Sequence, residues 1–367
     1  MASAPVLTAI GLMSGTSMDG IDAALIETDG ERVTAFGPRL TLPYDPPFRE
    51  ALRGVLGETA DPFRVAMVEA ALTSAHVDAV EALLAAAGRP RVDVIGFHGH
   101  TVFHAPDRRL TRQIGDGAAL ARATGLRVVY DLRSADVAAG GQGAPLVPVY
   151  HRALAADLDR PLAVLNLGGV GNVTFLDKSG APVAFDTGPG NALIDDWCAR
   201  HTGQPIDRDG ALAAAGTPSE AIIARLLAHP YFAAVPPKSL DRDAFGALVA
   251  AVGALSPADG AATLTAFTAA SVAAARAHLP AAPHRWLVTG GGRLNPVLME
   301  FLRRRLEAEV EPVEAVGWDG DALEAQAFAF LAVRHLRGLP QTWPTTTGCP
   351  APMTGGRLAE PVGTARR

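Results

Sequence analysis

The stretch Ile10-Gly11-Leu12-Met13-Ser14-Gly15-Thr16-Ser17-Met18-Asp19-Gly20-Ile21-Asp22-Ala23-Ala24-Leu25-Ile26 joins two apolar runs through a turn rich in Gly, Ser and Thr. Such a pattern reads as a β-hairpin whose tip offers backbone N–H groups, hydroxyls and two carboxylates. Bare N–H groups at a glycine turn form a concavity suited to anions, and glycine lets a phosphate approach where a Cβ would block it. Asp19 and Asp22 would repel that phosphate unless a divalent cation lay between them. Ser14, Gly15, Thr16, Ser17, Met18, Asp19, Gly20, Ile21 and Asp22 are therefore candidates to hold a nucleotide phosphate together with Mg²⁺, with Asp19 or Asp22 reaching the metal through water. No Lys follows the glycines, so this is not a Walker A loop, and the spacing is not a dinucleotide fingerprint. An ordinary tight turn between two core strands is the competing reading of the segment alone.

The chain has 367 residues, which suggests two domains. With 49% hydrophobic and 19% charged residues it has the composition of a well-cored globule rather than a disordered chain. No window approaches about 18 uninterrupted apolar residues, and the N-terminus lacks a basic and then apolar leader, so neither a membrane nor secretion is expected. A net charge of −6 argues against nonspecific nucleic-acid binding. Cys198 and Cys349 are far apart in no metal-binding spacing, which suits a reducing cytoplasm.

Periodicity predicts strands over 6–12, 20–27 and 32–42, a helix over 63–87 stopped by Gly88-Arg89-Pro90, and a buried strand over 92–97. A short helix capped by Asp116 and a strand over 126–130 follow. Beyond the glycine-rich 138–145 the pattern restarts, with strands over 161–166, 171–177 and 182–186. Helices are expected over 191–201, 219–228, 243–255, 257–278, 296–309 and 321–336, with a strand over 286–289 and an irregular tail. Strands alternating with helices give an α/β class with parallel pairing. Strand, Gly-rich turn, strand occurs at 10–26 and again at 162–176, a loose internal duplication. Gly290-Gly291-Gly292, after a strand and before a helix, adds a third close-approach site suited to a base or ribose.

This arrangement resembles the actin, hexokinase and Hsp70 ATPase superfamily. Within it, Gly11–Gly20, His98-Gly99, Gln113-Ile114-Gly115-Asp116, 138–148, 166–174, Asp186-Thr187-Gly188-Pro189-Gly190-Asn191, 289–295, Glu324-Ala325 and Thr346-Thr347-Gly348 resemble the anhydro-N-acetylmuramic acid kinases. The resemblance implies two ribonuclease-H-like lobes with an active-site cleft between them. The first lobe would be 1–134 with the tail 340–367, and the second 135–339. It implies ATP and Mg²⁺ as cofactors, a small sugar as substrate, murein recycling in a bacterial cytoplasm, and a homodimer. An ATP-driven switch or filament protein, or another sugar kinase of the superfamily, is the alternative.

On this reading Asp186 is the general base that activates water, with an N-cap aspartate as the competing role. Gly168, Gly169 and Asn172 form a second phosphate hairpin, and Gly290, Gly291, Gly292 and Asn295 contact adenosine. The sugar candidates are His98, Thr101, Asp116, Arg133 and Glu324, Arg133 matching a carboxylate better than Lys would. A metal triad of His98, His100 and His104 lacks a carboxylate or Cys at ligand spacing. The chain departs from the family pattern at Phe97, usually Ser, and at His100, usually Gln.

Overall fold

The computed structural model describes residues 4–15, 17–178, 180–240, 245 and 251–361. The chain runs β1 (Leu7–Ser14), β2 (Gly20–Thr28), β3 (Val33–Pro43), α1 (Pro46–Arg53), α2 (Pro62–Ala86), β4 (Val94–Ala105), β5 (Leu110–Ile114), α3 (Gly117–Thr124), β6 (Val128–Tyr130), α4 (Ser134–Ala138) and α5 (Pro148–Leu154). It continues through β7 (Leu162–Leu167), β8 (Val170–Leu176), β9 (Val183–Pro189), α6 (Ala192–Thr202), α7 (Ala211–Ala214), α8 (Glu220–Leu227), α9 (Pro230–Ala233) and α10 (Pro257–Ala275). β10 (Arg285–Thr289), α11 (Pro296–Leu306), β11 (Glu309–Pro312), α12 (Leu323–Leu336) and β12 (Arg357–Ala359) complete it. The expected helix over 243–255 falls mostly on residues outside the described set.

Two compact units result, Met1–Asp157 with Ala322–Arg367, and Leu158–Asp321. In the first, β1, β2 and β3 form an antiparallel meander, and β4 then β6 add in parallel beside β1. In the second, β7, β8 and β9 form the same meander, and β10 then β11 add in parallel beside β7. The strand order is therefore the same in both units, and the loose duplication of sequence is a duplication of topology. Extra strands β5 and β12 widen only the first sheet, on β4 and β6. The tail is thus partly ordered into a strand rather than irregular.

The units divide at 157/158 and 321/322, where the sequence reading puts the boundaries at 134/135 and 339/340. α12 accounts for the difference at the C-terminal side. It packs on β1, β2 and β4, and glycine makes this contact possible. A Cβ at Gly11 would enter the backbone of Ala325 and Ala329, and one at Gly96 the backbone of Phe328. A helix buried on nearly every side, as α12 is, carries no amphipathic stripe to say which sheet it covers.

Each sheet is sealed by apolar packing. Ile10, Leu12, Ile21, Leu25 and Ile95 meet Leu72, Val80 and Leu83 of α2. α2 begins at Asp61, whose carboxylate accepts the Phe63 and Arg64 N–H groups, and Pro62 occupies the first turn. In the second unit, Leu165, Val173, Trp286 and Val288 pack with Leu298 and Leu302. Among the described residues no helix is long and apolar enough to cross a membrane.

Candidate functional site

In the first unit, β1 and β2 reverse through a turn closed by Met18 N–H on Gly15 O at 3.0 Å, with Met18 at φ +53°. Thr16 lies outside the described residues. Ser17 Oγ donates to Asp19 Oδ1 at 2.8 Å at the exposed tip. Asp22, partly buried on β2, accepts Thr41 Oγ1 at 2.6 Å from β3. Burial is the main cause that raises the Tyr44 phenol, and the fields of both Asp19 and Asp22 add to it. The fields of both carboxylates thus reach the same phenol.

Strand alternation turns two of the expected phosphate residues inward. Ile21 is fully buried in the core. Ser14 is also buried, its Oγ bonded to Tyr44 Oη at 2.8 Å and to His100 Nδ1 at 2.9 Å. Ser14 and Ile21 therefore present backbone at the hairpin, not side chains.

Among the expected sugar residues, Arg133, His98 and Glu324 are linked. Arg133 donates through Nε and Nη2 to His98 Nε2 at 3.1 and 3.0 Å, and through Nη1 to Gly143 O at 2.7 Å. Since guanidinium can only donate, His98 Nε2 is an acceptor and Nδ1–H donates to Gly99 O at 2.8 Å. Burial, then the Arg133 charge, hold His98 neutral, far below the usual imidazole range. Burial lowers Arg133 to about 10, opposed by the fields of Glu324 and Asp136. Asp136, missed in the sequence, is buried and accepts Gly143 N–H and Thr347 Oγ1, both at 2.7 Å. Arg133, His98 and Glu324 are thus brought together.

His98 and Asp116 line a cavity of about 410 Å³ with Gln113, Asp131 and Ser134. Asp116 also fills its competing role, its Oδ1 capping α3 by accepting Ala118 and Ala119 N–H at 2.9 Å. Thr101 Oγ1 accepts Gln113 Nε2 at 3.2 Å. Nδ1 of His98, His100 and His104 bonds to a carbonyl or hydroxyl oxygen in each case. Among the described residues there is no group of three His, Cys, Asp or Glu placed to hold a metal.

In the second unit, Thr289, Asn166, Asn172 and Asp186 stand in register across β10, β7, β8 and β9. Directly opposed residues share a face of the sheet, so these four polar side chains form one row. Asp186 lies within β9, and the residue before α6 is Asn191, so Asp186 is not the helix cap. Its Oδ2 accepts Leu240 N–H at 2.8 Å. Burial raises its carboxyl from an ordinary 3.8 to about 7, against the pull of that N–H. A carboxylate poised there can take a proton near neutral pH.

The second hairpin tip is bound to the start of α6, since Gly168 O and Gly169 O accept the N–H groups of Asn191 and Gly190 at 2.7 and 2.9 Å. Gly290 has φ +76°, and a Cβ there would meet Asn166 Oδ1 and Leu167 O. The Gly290–Gly292 backbone thus lies directly on the β7 end of the hairpin. Asn295 spends Oδ1 on capping α11, through Val297 and Leu298 N–H at 3.0 and 3.1 Å. Arg293, missed in the sequence, anchors this loop: it donates to Glu314 at 2.8 Å, Asp321 at 2.6 Å and Gly290 O at 3.1 Å. Only the Arg and acidic residue types were visible beforehand, and nothing in their spacing links them.

Two sheets of three antiparallel and two parallel strands, each opened by a glycine-rich hairpin, define a duplicated ribonuclease-H-like α/β protein. A sequence model of the family described as anhydro-N-acetylmuramic acid kinase matches residues 7–360, and the chain belongs to that family. A protein named anhydro-N-acetylmuramic acid kinase from Paramagnetospirillum magneticum is 61% identical over 354 residues, 96% of this chain and 99% of the relative. One of the same name from Rhodospirillum rubrum is 61% identical over 353 residues, covering 95% and 93%. Among solved structures, Acidaminococcus fermentans (R)-2-hydroxyglutaryl-CoA dehydratase component A matches 89% of this chain and 98% of its own, with 11% identity and a TM-score of 0.49.

Proposed function

We propose that this chain uses ATP and water to open the 1,6-anhydro bridge of 1,6-anhydro-N-acetylmuramic acid and to phosphorylate O6, giving N-acetylmuramic acid 6-phosphate and ADP. Membership of the family supports the substrate and the reaction. The observation that carries the mechanism is Asp186, raised to about 7 at the end of a four-strand polar row.

Asp186 takes a proton from water as the water oxygen bonds to the anomeric carbon. The C1–O6 bond breaks and its electron pair passes to O6, which bonds to the γ-phosphorus. The bond from that phosphorus to the β,γ-bridging oxygen breaks, and ADP leaves with the pair. The developing O6 alkoxide is captured by phosphorus, so no separate acid is required at that oxygen. Attack by water opposite the departing O6 inverts the anomeric centre.

Residues 15–20 would hold the β- and γ-phosphates through backbone N–H groups, and Gly168, Gly169 and Asn172 form the second phosphate hairpin. Gly290, Gly291 and Gly292 carry the adenosine. Asp19 and Asp22 would hold Mg²⁺ through water, and the ion would neutralise phosphate charge. Arg133, presented by His98 and backed by Glu324, pairs with the lactyl carboxylate, while Thr101 and Asp116 complete the sugar site. The proposed setting is murein recycling in the cytoplasm, by a homodimer that binds no nucleic acid. Incubation with ATP and Mg²⁺, with and without the anhydro sugar, tests the reading. Sugar-dependent ADP release is expected, and ATP turnover unchanged by the sugar would favour a nucleotide-driven switch instead.

A further inference from the structure

Three bonding groups of Asp186 are taken by one short segment. Its N–H donates to Lys238 O at 3.1 Å, its C=O accepts Tyr231 Oη at 2.6 Å, and Oδ2 accepts Leu240 N–H at 2.8 Å. The segment is in turn tied to itself by Lys238. The Lys238 Nζ donates to Tyr231 O at 3.0 Å, and sits 4.6 Å from the centre of the Tyr231 ring and 5.8 Å from that of Phe185. His278, edge-on to Phe185, donates or accepts no bond to Asp186; its Nε2 bonds Phe232 O at 3.0 Å, closing the other side of the same turn.

The ammonium is not the counter-ion of Asp186. Among the described residues, burial and the Leu240 N–H are the causes acting on that carboxyl, with no Lys238 charge among them. Lys238 therefore reaches Asp186 only through the backbone that it folds. Among the described residues, Leu240 N–H is the one donor to the carboxylate, and it engages Oδ2.

We propose that Lys238 is a positioning residue: by folding 231–240 onto the Tyr231 ring, it aims Leu240 N–H at Oδ2 and leaves Oδ1 to receive the proton of the attacking water. A carboxylate has two equivalent oxygens, and a fixed N–H on one orients the plane and the basic lone pair of the other. Small misplacement of a base costs large factors in rate. This inference rests on Asp186 as the base.

The test compares Lys238→Met, which keeps the stem over the rings, with Lys238→Arg, which keeps the charge and the donors. In Lys238→Met, kcat should fall at least about 10-fold, with the KM for ATP unchanged. Losing the N–H that favours the ionised form should move the acid limb of kcat/KM to higher pH, and Lys238→Arg should recover most of the rate. The carboxyl of Asp186, followed by ¹³C NMR in the full chain, should titrate at higher pH in Lys238→Met. Unchanged kcat and acid limb overturn the proposal. So does a loss of rate that follows melting temperature and nucleotide affinity while the NMR midpoint stays fixed, because that is the mark of a merely structural lysine. Turnover retained in Asp186→Asn refutes the base assignment instead, and the NMR midpoint then judges the Lys238 contact by itself.

Discussion

Asp186→Asn removes a carboxyl that burial holds at about 7 instead of an ordinary 3.8, and keeps the side-chain size. A folded value raised above the unfolded one means that the native state favours the protonated form. The stability this contributes is fully present below 3.8 and is lost as the pH rises through about 7. At about 1.36 kcal/mol per unit, the stability lost relative to acid is roughly 4 kcal/mol at pH 8 and roughly 1.5 kcal/mol at pH 5. These are upper values, because the side chain is only partly buried. Asn never ionises, and its carbonyl oxygen can still accept the Leu240 N–H. The variant should therefore match the parent in acid and become the more stable of the two as pH rises, while losing turnover. Urea unfolding at pH 5, 6.5 and 8 measures this, read through the buried Trp197 and Trp286, both in the Leu158–Asp321 unit. A stability gap that stays flat or shrinks towards pH 8 would refute the reasoning. The same ionisation should set the acid limb of kcat/KM near pH 7.

Arg133→Lys cannot reproduce a fork held on both His98 Nε2 and Gly143 O; the KM for the sugar should rise roughly 10- to 100-fold in steady-state assays while that for ATP holds. Gly290→Ala forces a side chain into φ +76° and against Asn166 and Leu167; it should weaken ATP binding in calorimetry and destabilise its unit by about 1–3 kcal/mol. Asp22→Asn should retain the Thr41 bond yet raise the Mg²⁺ concentration for half-maximal rate by about 10-fold; an unchanged Mg²⁺ requirement would remove Asp22 from the metal site.

Local pattern revealed the parts of the fold that depend on local pattern. The runs on either side of the 15–20 turn are short and apolar and are joined by a Gly-rich turn, so both hairpins were legible, and the repeat at 162–176 exposed the duplication. β5 was not legible, because Leu110-Thr111-Arg112-Gln113-Ile114 pairs only along β4 and is half exposed. The unit to which α12 belongs depends on Gly11 and Gly96, two positions far apart in the chain that meet one helix. At the site, glycines and the Asp186 motif stood out because their chemistry is bound to their residue types. Lys238, Tyr231 and Arg293 did not, since their partners include backbone carbonyls, which any sequence supplies. The inward turn of Ser14 has the same origin, in bonds to His100 on the neighbouring strand and to Tyr44 just beyond β3, across large sequence distances.

The central claim is that one turnover joins water attack at the anomeric carbon to phosphoryl transfer onto O6. Running the reaction in H₂¹⁸O with ATP, Mg²⁺ and the anhydro sugar, and locating the label by mass spectrometry, tests it directly. The account predicts one ADP per sugar, with ¹⁸O at the anomeric hydroxyl and none in the transferred phosphate. Label in phosphate, with the sugar returned unopened, would contradict it.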